Sequence, residues 1–361
     1  MNLRTCLLAL LACTSTACLE NEEELTIRPD GSVTVRMSAK SKQETDLADG
    51  YPLPFDGPWR PANAATRAWL STNRAQHPAP QDRSDELELA VEASFASVRE
   101  LPRFTAPESE PYRSSYLERT SDLRLETRGG KRVYTFERVY RGREFARFDV
   151  WTQVESDLPG NLYEKLDGSE PLTVRERDQV VGATVARMVR GALAFAEDAL
   201  LTLYTHGDAS LSAAASARVH REIELALTAA ASEARVRAVL AALRPDAGAP
   251  KNDELGAEVL LSLEHDTRSA LRDSLARALT AEGVSAAARN GVRGELEARL
   301  SAYDHTVDLH DEAFQLTVHM PGTIVGGNFE RRDDDDTVVF ELDGEQLRDR
   351  DRVLRVVSVV E

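Results

Sequence analysis

The chain has 361 residues, of which 42% are hydrophobic and 29% are charged, and its formal net charge at pH 7 is −17. A chain this acidic repels phosphate backbones, so its composition argues against a nucleic-acid partner. All three cysteines, Cys6, Cys13 and Cys18, lie in the first 18 residues. The rest of the sequence therefore has neither a pair for a disulfide nor a thiolate cluster for zinc.

The first 17 residues have the layout of a secretory signal peptide. Arg4 precedes a short apolar run, and small residues follow it up to Ala17. This run is shorter than the roughly 20 apolar residues that a membrane-spanning helix needs. The segment also resembles the signal of bacterial lipoproteins, in which a cysteine after a small residue is acylated and becomes the first residue of the mature protein.

Two cysteines compete for this acylation. Cys13 has the usual leucine three residues before it, but choosing it leaves only a short hydrophobic segment. Cys18 has serine in place of that leucine, yet it leaves a segment of workable length. We therefore expect acylation at Cys18 and removal of residues 1–17, with an ordinary cleaved signal as the alternative. Two or three acyl chains, such as palmitate, would anchor the protein stably, since each buried methylene contributes about 0.8 kcal/mol.

Residues 18–169 are predicted to be rich in strands. Apolar and polar residues alternate on both sides of Asp30-Gly31, which is a strong hairpin pattern. Leu87 to Phe95 alternates in the same way, and a second hairpin surrounds Gly129-Gly130. Between these strands we expect loops and one helix-like piece, Ala62 to Gln76.

Residues 173–303 are predicted to form a bundle of antiparallel helices. Thr173 and Glu176 form a capping box, and apolar residues then follow at three- and four-residue spacing up to Gly207. The pattern continues in Leu211 to Leu243, Glu254 to Ala281, and Val284 to Tyr303. The apolar positions are mostly alanine and leucine, with arginine and glutamate outside, which is typical of a helix bundle.

Residues 304–361 return to strands. Phe314 to Met320 and Thr337 to Leu342 alternate, and Val353 to Val360 is a nearly continuous apolar run. The simplest architecture is an α+β fold in which one antiparallel sheet is built from the N- and C-terminal segments. The helical region would be inserted into this sheet domain or packed on one of its faces.

Three stretches at the two chain ends carry a family resemblance. They read LTIRPDGSVTVRM, LTVHMPGTIVGGN and VVFELDGEQLRDRDRVLRVVSV. With the acylatable cysteine before them, they resemble the LppM-type domain of bacterial envelope lipoproteins. The matching residues are turn residues: Asp30-Gly31, Pro321-Gly322, Asn328 and Asp343-Gly344. The resemblance implies a membrane-tethered α+β domain, for which lipid binding has been suggested in the family, and it carries over no catalytic residue.

No motif points to an enzyme. The sequence contains no Gly-x-Ser-x-Gly nucleophile elbow, no phosphate-binding loop ending in Gly-Lys-Ser or Gly-Lys-Thr, and no dinucleotide-binding glycine pattern after a strand. We therefore expect a protein without catalytic residues and without a cofactor.

Two acidic segments are weak candidates for metal binding. Asp304, His305, Asp308, His310 and Asp311 group five potential ligands, but their spacing fits no standard metal loop. A solvated link between a helix and a strand is the preferred interpretation. Asp333 to Asp336 lacks the alternating ligands and the glycine of a calcium loop. We expect no metal at either segment.

Two functions remain open, with an enzyme as a distant third. The first is a binding module for a lipid or another apolar ligand, and the second is an interaction protein of the envelope that binds another protein through its helical face. An enclosed cavity would favour the first and an exposed apolar stripe the second. A ligand pocket would be lined by the aromatic residues of the strand region, which are otherwise plain core. These are Phe95, Phe104, Tyr134, Phe136, Tyr140, Phe145 and Phe148.

The expected location is the bacterial cell envelope, with the protein held to the membrane by its N-terminal lipid. Leu19 and Glu20 follow Cys18, and the absence of aspartate there implies the outer membrane, facing the periplasm, in the enterobacterial sorting scheme. The expected partners are the membrane and either an apolar ligand or an envelope protein.

Overall fold

A computed structural model of the protein describes residues 20–43, 47, 53–71, 82–104, 117–145, 148, 158–167, 172–205, 211–243, 253–308 and 313–361. These residues divide into two compact units. The helical unit lies within Glu144–Leu300, and the sheet unit combines residues of Ser15–Arg143 and Ser301–Glu361. The signal segment and Cys18 lie outside the described residues.

The sheet unit draws its strands from both ends of the chain. They are β1 (Glu20–Ile27), β2 (Val33–Gln43), β3 (Arg60–Pro61), β4 (Asp82–Phe95), β5 (Arg119–Arg128), β6 (Lys131–Tyr140), β7 (Ala313–His319), β8 (Thr323–Gly327), β9 (Arg331–Arg332), β10 (Thr337–Asp343) and β11 (Arg352–Val360). A short helix, α1 (Ala64–Ser71), and two single turns of 3₁₀ helix, Val98–Glu100 and Gly344–Leu347, lie between the strands.

The remaining helices follow one another along the middle of the chain. They are α2 (Gly160–Asp167), α3 (Val174–Thr205), α4 (Ala213–Ala230), α5 (Glu233–Leu243), α6 (Asp253–Ala281) and α7 (Ala286–Asp308). Helices α3 to α6 pack on one another through alanine, leucine and valine side chains. A bidentate ion pair between Arg218 and Glu282, with both N···O distances 2.7 Å, joins α4 to the residue that follows α6.

The strands form two sheets. The larger has the order β3-β4-β2-β1-β7-β10-β9, and the smaller has the order β5-β6-β11-β8. The predicted α+β class, with sheets built from both chain ends and a helical region between them, is confirmed. The structure differs from the expected single antiparallel sheet in two respects. The described strands form two sheets, and β1 pairs with β7 in parallel. Parallel strands need a crossover connection, and here the chain from β2 to α7 provides it.

One face of each sheet contributes to a shared core. In β1, Leu25 and Ile27 point to this core, and their neighbours across the register are equally apolar, as in the row formed by Leu25, Val35 and Val318. The smaller sheet supplies Phe136 and Val356, which are fully buried and face each other across β6 and β11. The core thus lies between the two sheets, as period-two alternation requires.

Local sequence signals explain the element boundaries. The capping box before α3 is present: the amide of Thr173 donates to Glu176 Oε2 at 2.7 Å, and the amide of Glu176 donates to Thr173 Oγ1 at 3.3 Å. Hydrogen bonds from Lys165 and from Thr173 lower the pKa of Glu176 to about 2. The predicted helix from Leu211 to Leu243 is two helices, because the chain leaves the helical path at Ala231 and the carbonyl of Ser232 starts α5.

Gly322, in the turn between β7 and β8, is predicted to tolerate replacement poorly. Its φ is +81°, and a Cβ would lie 2.3 Å from the carbonyl oxygen of Val359. Gly129 has a similar φ, +59°, but open space around it, so Gly129→Ala should cost only about 1–2 kcal/mol of backbone strain. Gly322→Ala should cost about 1–3 kcal/mol more through overpacking. Urea denaturation followed by tryptophan fluorescence measures both, and equal losses would contradict the prediction.

Candidate functional site

A carboxylate interrupts the apolar inner face of the larger sheet. Glu23 lies on β1 in phase with Leu25 and Ile27, and its neighbours across the register are Met37 and Leu316. Only 8% of Glu23 is exposed. A buried carboxylate is costly unless it is paired and hydrogen-bonded, so its partners define the site.

Two arginines of the smaller sheet meet this carboxylate. Arg119 on β5 and Arg138 on β6 are 4% and 0% exposed, and both lie on the face that points to the larger sheet. The Nη1 atom of each donates to the same oxygen, Glu23 Oε2, at 2.6 Å and 2.7 Å respectively. The carboxylate therefore links the two sheets through one shared acceptor. We call these three residues the Glu23 cluster.

Neighbouring side chains hold the two arginines in place. Arg138 Nε donates to Ser121 Oγ at 2.9 Å, and its Nη1 also contacts the hydroxyl of Tyr140 at 3.4 Å. Arg119 Nε donates to the carbonyl of Pro102 at 3.4 Å, and its Nη2 contacts Met37 Sδ at 3.8 Å. Strands β2, β5 and β6 thus all contribute to the geometry.

The electrostatics of the cluster favour the charged forms of Glu23 and Arg138. Burial alone raises the pKa of Glu23, but the charges of Arg119 and Arg138 and the hydrogen bond from Arg138 outweigh it and lower the pKa. Burial likewise lowers the pKa of Arg138, while the charge of Glu23 and the Tyr140 hydroxyl outweigh it and raise the pKa. One anion and two cations leave the Glu23 cluster with a net charge of about +1.

Two atoms of the Glu23 cluster lack a hydrogen-bond partner within the described residues. They are Glu23 Oε1 and Arg138 Nη2, and both are sealed from bulk solvent. Native proteins satisfy most buried polar atoms, and an exception of this kind is often explained by a bound water or ligand.

A small cavity lies beside the cluster. Its volume is about 30 Å³, and it is partly open to the surface. Glu23 and Arg119 form part of its wall, together with apolar side chains that include Leu53, Leu117, Phe314 and Leu342. By the usual requirement of at least 10–15 Å³ per molecule, the cavity can hold roughly two waters, or a head group of similar size.

The cavity lies at the end of the sandwich where β1 begins. Its wall includes Asn21 near the start of β1, Phe314 near the start of β7 and Leu342 near the end of β10. From the smaller sheet it includes Arg119 at the start of β5 and Tyr140 at the end of β6. The cavity is therefore close to Glu20, the first residue of β1.

The aromatic residues expected around a ligand pocket are divided between core and surface. Tyr134, Phe136 and Tyr140 belong to the core between the sheets, and Tyr140 is the one that lines the cavity. Phe148 stacks on Phe195 in the helical unit, with ring centroids 4.0 Å apart. Phe145 is also buried in that unit, whereas Phe95 and Phe104 are half-buried. The set as a whole does not line one pocket.

The described residues of the acidic segments are not brought together as ligand sets. His305 Nδ1 pairs with the carbonyl of Ser301 at 2.6 Å, and Asp333 and Asp335 pair with Arg331 and Arg332. His310, Asp311 and the side chain of Asp308 lie outside the described residues. In the part of the chain that the structure describes, no group of three or more histidine, cysteine and acidic residues could hold a metal ion.

Comparison of the chain with family models, with curated proteins and with solved structures finds no match. The resemblance of the chain ends to the LppM-type domain therefore stays a prediction. Among the described helices, none combines the length and the apolar composition that crossing a membrane requires.

The sequence pattern did not predict the Glu23 cluster. Glu23 lies in the run ENEEEL, which has the composition of a solvated surface segment. Its phase with Leu25 and Ile27 was the available signal, because residues two apart on a strand share a face. The same phase links Arg138 to Phe136 on β6, so period-two counting places both charges in the core.

Replacing Glu23 tests the cluster against a matched neighbour. Glu23→Gln leaves two buried cations without their counter-charge, so we expect a loss of about 3–5 kcal/mol in the free energy of unfolding. Glu24→Gln removes the adjacent carboxylate, which lies on the outer face and pairs with His319 Nε2 at 2.9 Å. An exposed pair of this kind contributes about 0–1 kcal/mol. Guanidinium denaturation measures both losses, and similar values for the two variants would contradict a structural role for Glu23.

Proposed function

We propose that the protein is a lipid-anchored, non-enzymatic binding module of the bacterial cell envelope that takes an apolar ligand at the cavity end of its sheet unit. The observation that carries this proposal is the position of β1. This strand begins at Glu20, two residues after the cysteine expected to be acylated, and it lies between β2 and β7 in the interior of the larger sheet.

The short distance from Cys18 to β1 limits how far the sheet unit can move from the membrane. Two extended residues span at most about 7 Å. An acyl chain on Cys18 would therefore hold the beginning of β1 at the membrane surface. The cavity lies at that same end of the sandwich, so a ligand could pass between membrane and cavity with little exposure to water.

The chemistry of the cavity wall supports an apolar ligand with a small polar group. The wall has apolar and charged parts. Glu22, Glu23 and Arg119 supply its charges, and its apolar side chains include Leu53, Leu117, Phe314 and Leu342. A volume of about 30 Å³ admits one end of a ligand and is well below the roughly 300 Å³ of an enclosing pocket. The remainder of the ligand would lie along the open mouth.

The alternative, docking of an envelope protein on the helical face, has less support. In the described part of helices α3, α4 and α6, the exposed large apolar side chains are scattered, apart from Leu201 and Tyr204, which lie one turn apart on α3. The others are Val174, Leu225 and Leu261. Single exposed apolar residues are ordinary on a protein surface. The cavity is the feature that distinguishes the two functions, and it favours ligand binding.

Metabolic labelling with radioactive palmitate tests the anchor. We expect label in the wild-type chain and in Cys13→Ser, and none in Cys18→Ser, which should also leave the membrane fraction. Label that persists in Cys18→Ser and disappears in Cys13→Ser would move the anchor to Cys13. Absence of label in the wild type would favour an ordinary cleaved signal and would contradict the proposed membrane anchor.

Native mass spectrometry tests ligand binding. The probe is the mature chain carrying Cys18→Ser, secreted to the periplasm behind a cleavable signal. We expect an adduct with the mass of a lipid or another small amphiphile, and we expect it to be lost when the protein is denatured. A bare mass under gentle conditions would leave the binding module without support and would favour the alternative of an interaction protein.

A further inference from the structure

The smaller sheet has an edge at β5. This strand pairs with β6 on one side, and among the described residues no strand pairs with it on the other. The beginning of the edge is covered, because the amide of Arg119 donates to the carbonyl of Arg103 at 2.8 Å. The side chains of residues 124–128, further along the strand, are all exposed. An uncovered edge of this kind is a template for a further strand.

Alternate residues of β5 direct their backbone groups to this edge. The amide of Arg141 donates to the carbonyl of Glu118, so the even-numbered residues face β6 along the continuous register of the two strands. The odd-numbered residues therefore direct their N–H and C=O groups away from β6. Beyond the covered part of the edge, these are Leu123, Leu125 and Thr127.

An apolar side chain lies in the middle of the exposed part. Leu125 is 53% exposed. Leu123 shares its face of the strand and packs against the core between the sheets, but Leu125 does not belong to that core. A strand that covered this edge would remove Leu125 from water, which is favourable for an apolar side chain.

The charges on the other face of β5 alternate in sign. In chain order they are Asp122, Arg124, Glu126 and Arg128. In a single chain they form exposed pairs, as Arg128 Nε does with Glu126 Oε2 at 2.8 Å, and Asp122 also pairs with Arg99 at 2.8 Å. Exposed pairs contribute little to stability. A strand with alternating charges can be complementary to a second copy of itself.

One antiparallel register makes two copies of β5 complementary. The edge-directed residues of both copies must face each other, so odd-numbered residues pair with odd-numbered residues. With Leu125 opposite Leu125 of the second copy, Arg124 lies opposite Glu126, and Asp122 lies opposite Arg128. Each of these ion pairs occurs twice by symmetry, and the two exposed leucines cover each other.

The neighbouring registers are unfavourable. Shifting one strand by two residues moves the centre of the pair by one residue, to Arg124 or to Glu126, and places like charges opposite each other. A centre at Leu123 would need the backbone groups of Arg119, whose amide is held by Arg103. A centre closer to the end of β5 leaves at most the last three residues of the strand to pair.

We propose that the exposed edge of β5 is the interface of a symmetric dimer, in which two copies pair antiparallel with Leu125 on the two-fold axis. Residues 122–128 of each chain would pair, and the two four-stranded sheets would join into one sheet of eight strands. The same patch of both copies forms such an interface, as in most homodimers. This inference goes beyond the proposed function and depends on neither the lipid anchor nor the cavity.

Single cysteines test the register. The chain from residue 18 onward, carrying Cys18→Ser, contains no other cysteine, so a disulfide between copies must use the introduced residue. The Cα atoms of a hydrogen-bonded antiparallel pair are about 5.5 Å apart, which a disulfide can span. Under mild oxidation, Leu125→Cys should give a covalent dimer at least about tenfold faster than Thr127→Cys. A mixture of Thr127→Cys with tagged Leu123→Cys should give the mixed dimer.

Charge reversal tests the same interface in solution. Arg124→Glu and Glu126→Arg each place like charges across the pair, so each variant alone should have a dimer dissociation constant raised at least about tenfold. In an equimolar mixture the two variants should pair with each other, because their altered charges are then opposite in sign. Arg67→Glu, on the exposed surface of α1, is the control and should dimerise like the unaltered chain. Sedimentation velocity over a concentration series measures all four.

The outcomes decide the proposal. Equal crosslinking of Leu125→Cys and Thr127→Cys would overturn it, and so would failure of the two charge variants to pair in the mixture while the unaltered chain dimerises. A chain that stays monomeric and does not crosslink would also overturn it, and the charges of β5 would then serve to keep other strands away. Because no ligand is involved, none of these outcomes tests the proposed function.

Discussion

The sheet unit depends on one carboxylate shared by two arginines between its sheets. Hydrophobic burial explains Leu25 and Ile27, the apolar residues that β1 contributes to the core, but Glu23 brings a charge into the same layer. Removing three charged groups from water is expensive, and their attraction compensates only when the geometry is well defined. The pairing therefore requires β1, β5 and β6 to hold one relative position. A one-residue slip of β1 would put Glu22 or Glu24 in the place of Glu23, but it would turn Leu25 and Ile27 to the outer face, so the apolar pair fixes the register.

This constraint also joins the two ends of the chain. Strand β1 lies between β2 and β7, so the N-terminal strand is an interior strand whose parallel partner comes almost 300 residues later. Such a pairing closes a long loop, and contacts of large sequence separation are slow to form during folding. The helical unit is encoded entirely inside that loop, and its contacts are more local. A folded helical unit would shorten the effective loop before β1 and β7 meet.

Local rules were enough to predict most of the elements. Alternation around Asp30-Gly31 and Gly129-Gly130 predicted both hairpins, and the capping box at Thr173 predicted the start of the longest helix. These signals are readable because they act between residues close in sequence. The break at Ala231 was missed, since alanine and serine do not force a helix to end and α5 is defined by its packing. Strand β8 was also missed. It is short, contains two glycines and is specified by its pairing with β11.

The candidate site was beyond sequence reasoning for a different physical reason. More than 90 residues separate Glu23 from each of the two arginines. The arginines lie on neighbouring strands of the smaller sheet, and the sequence does not show that this sheet packs on the strand of Glu23. Period-two counting places each one on an inner face, but it does not say that the faces meet. Charge composition pointed the other way, because runs such as ENEEEL usually lie in water. The same limit applies to the cavity, whose wall comes from both chain ends.

A crystal structure of the mature chain carrying Cys18→Ser, at a resolution that shows ordered water, would test the central claim most directly. We predict that Glu23 Oε2 lies within hydrogen-bond distance of both guanidinium groups. We also predict density for a hydrogen-bond donor beside Glu23 Oε1, because a buried carboxylate oxygen without a donor is rare in native proteins. A Glu23 side chain turned toward solvent, or a cavity filled by neighbouring side chains, would contradict the account.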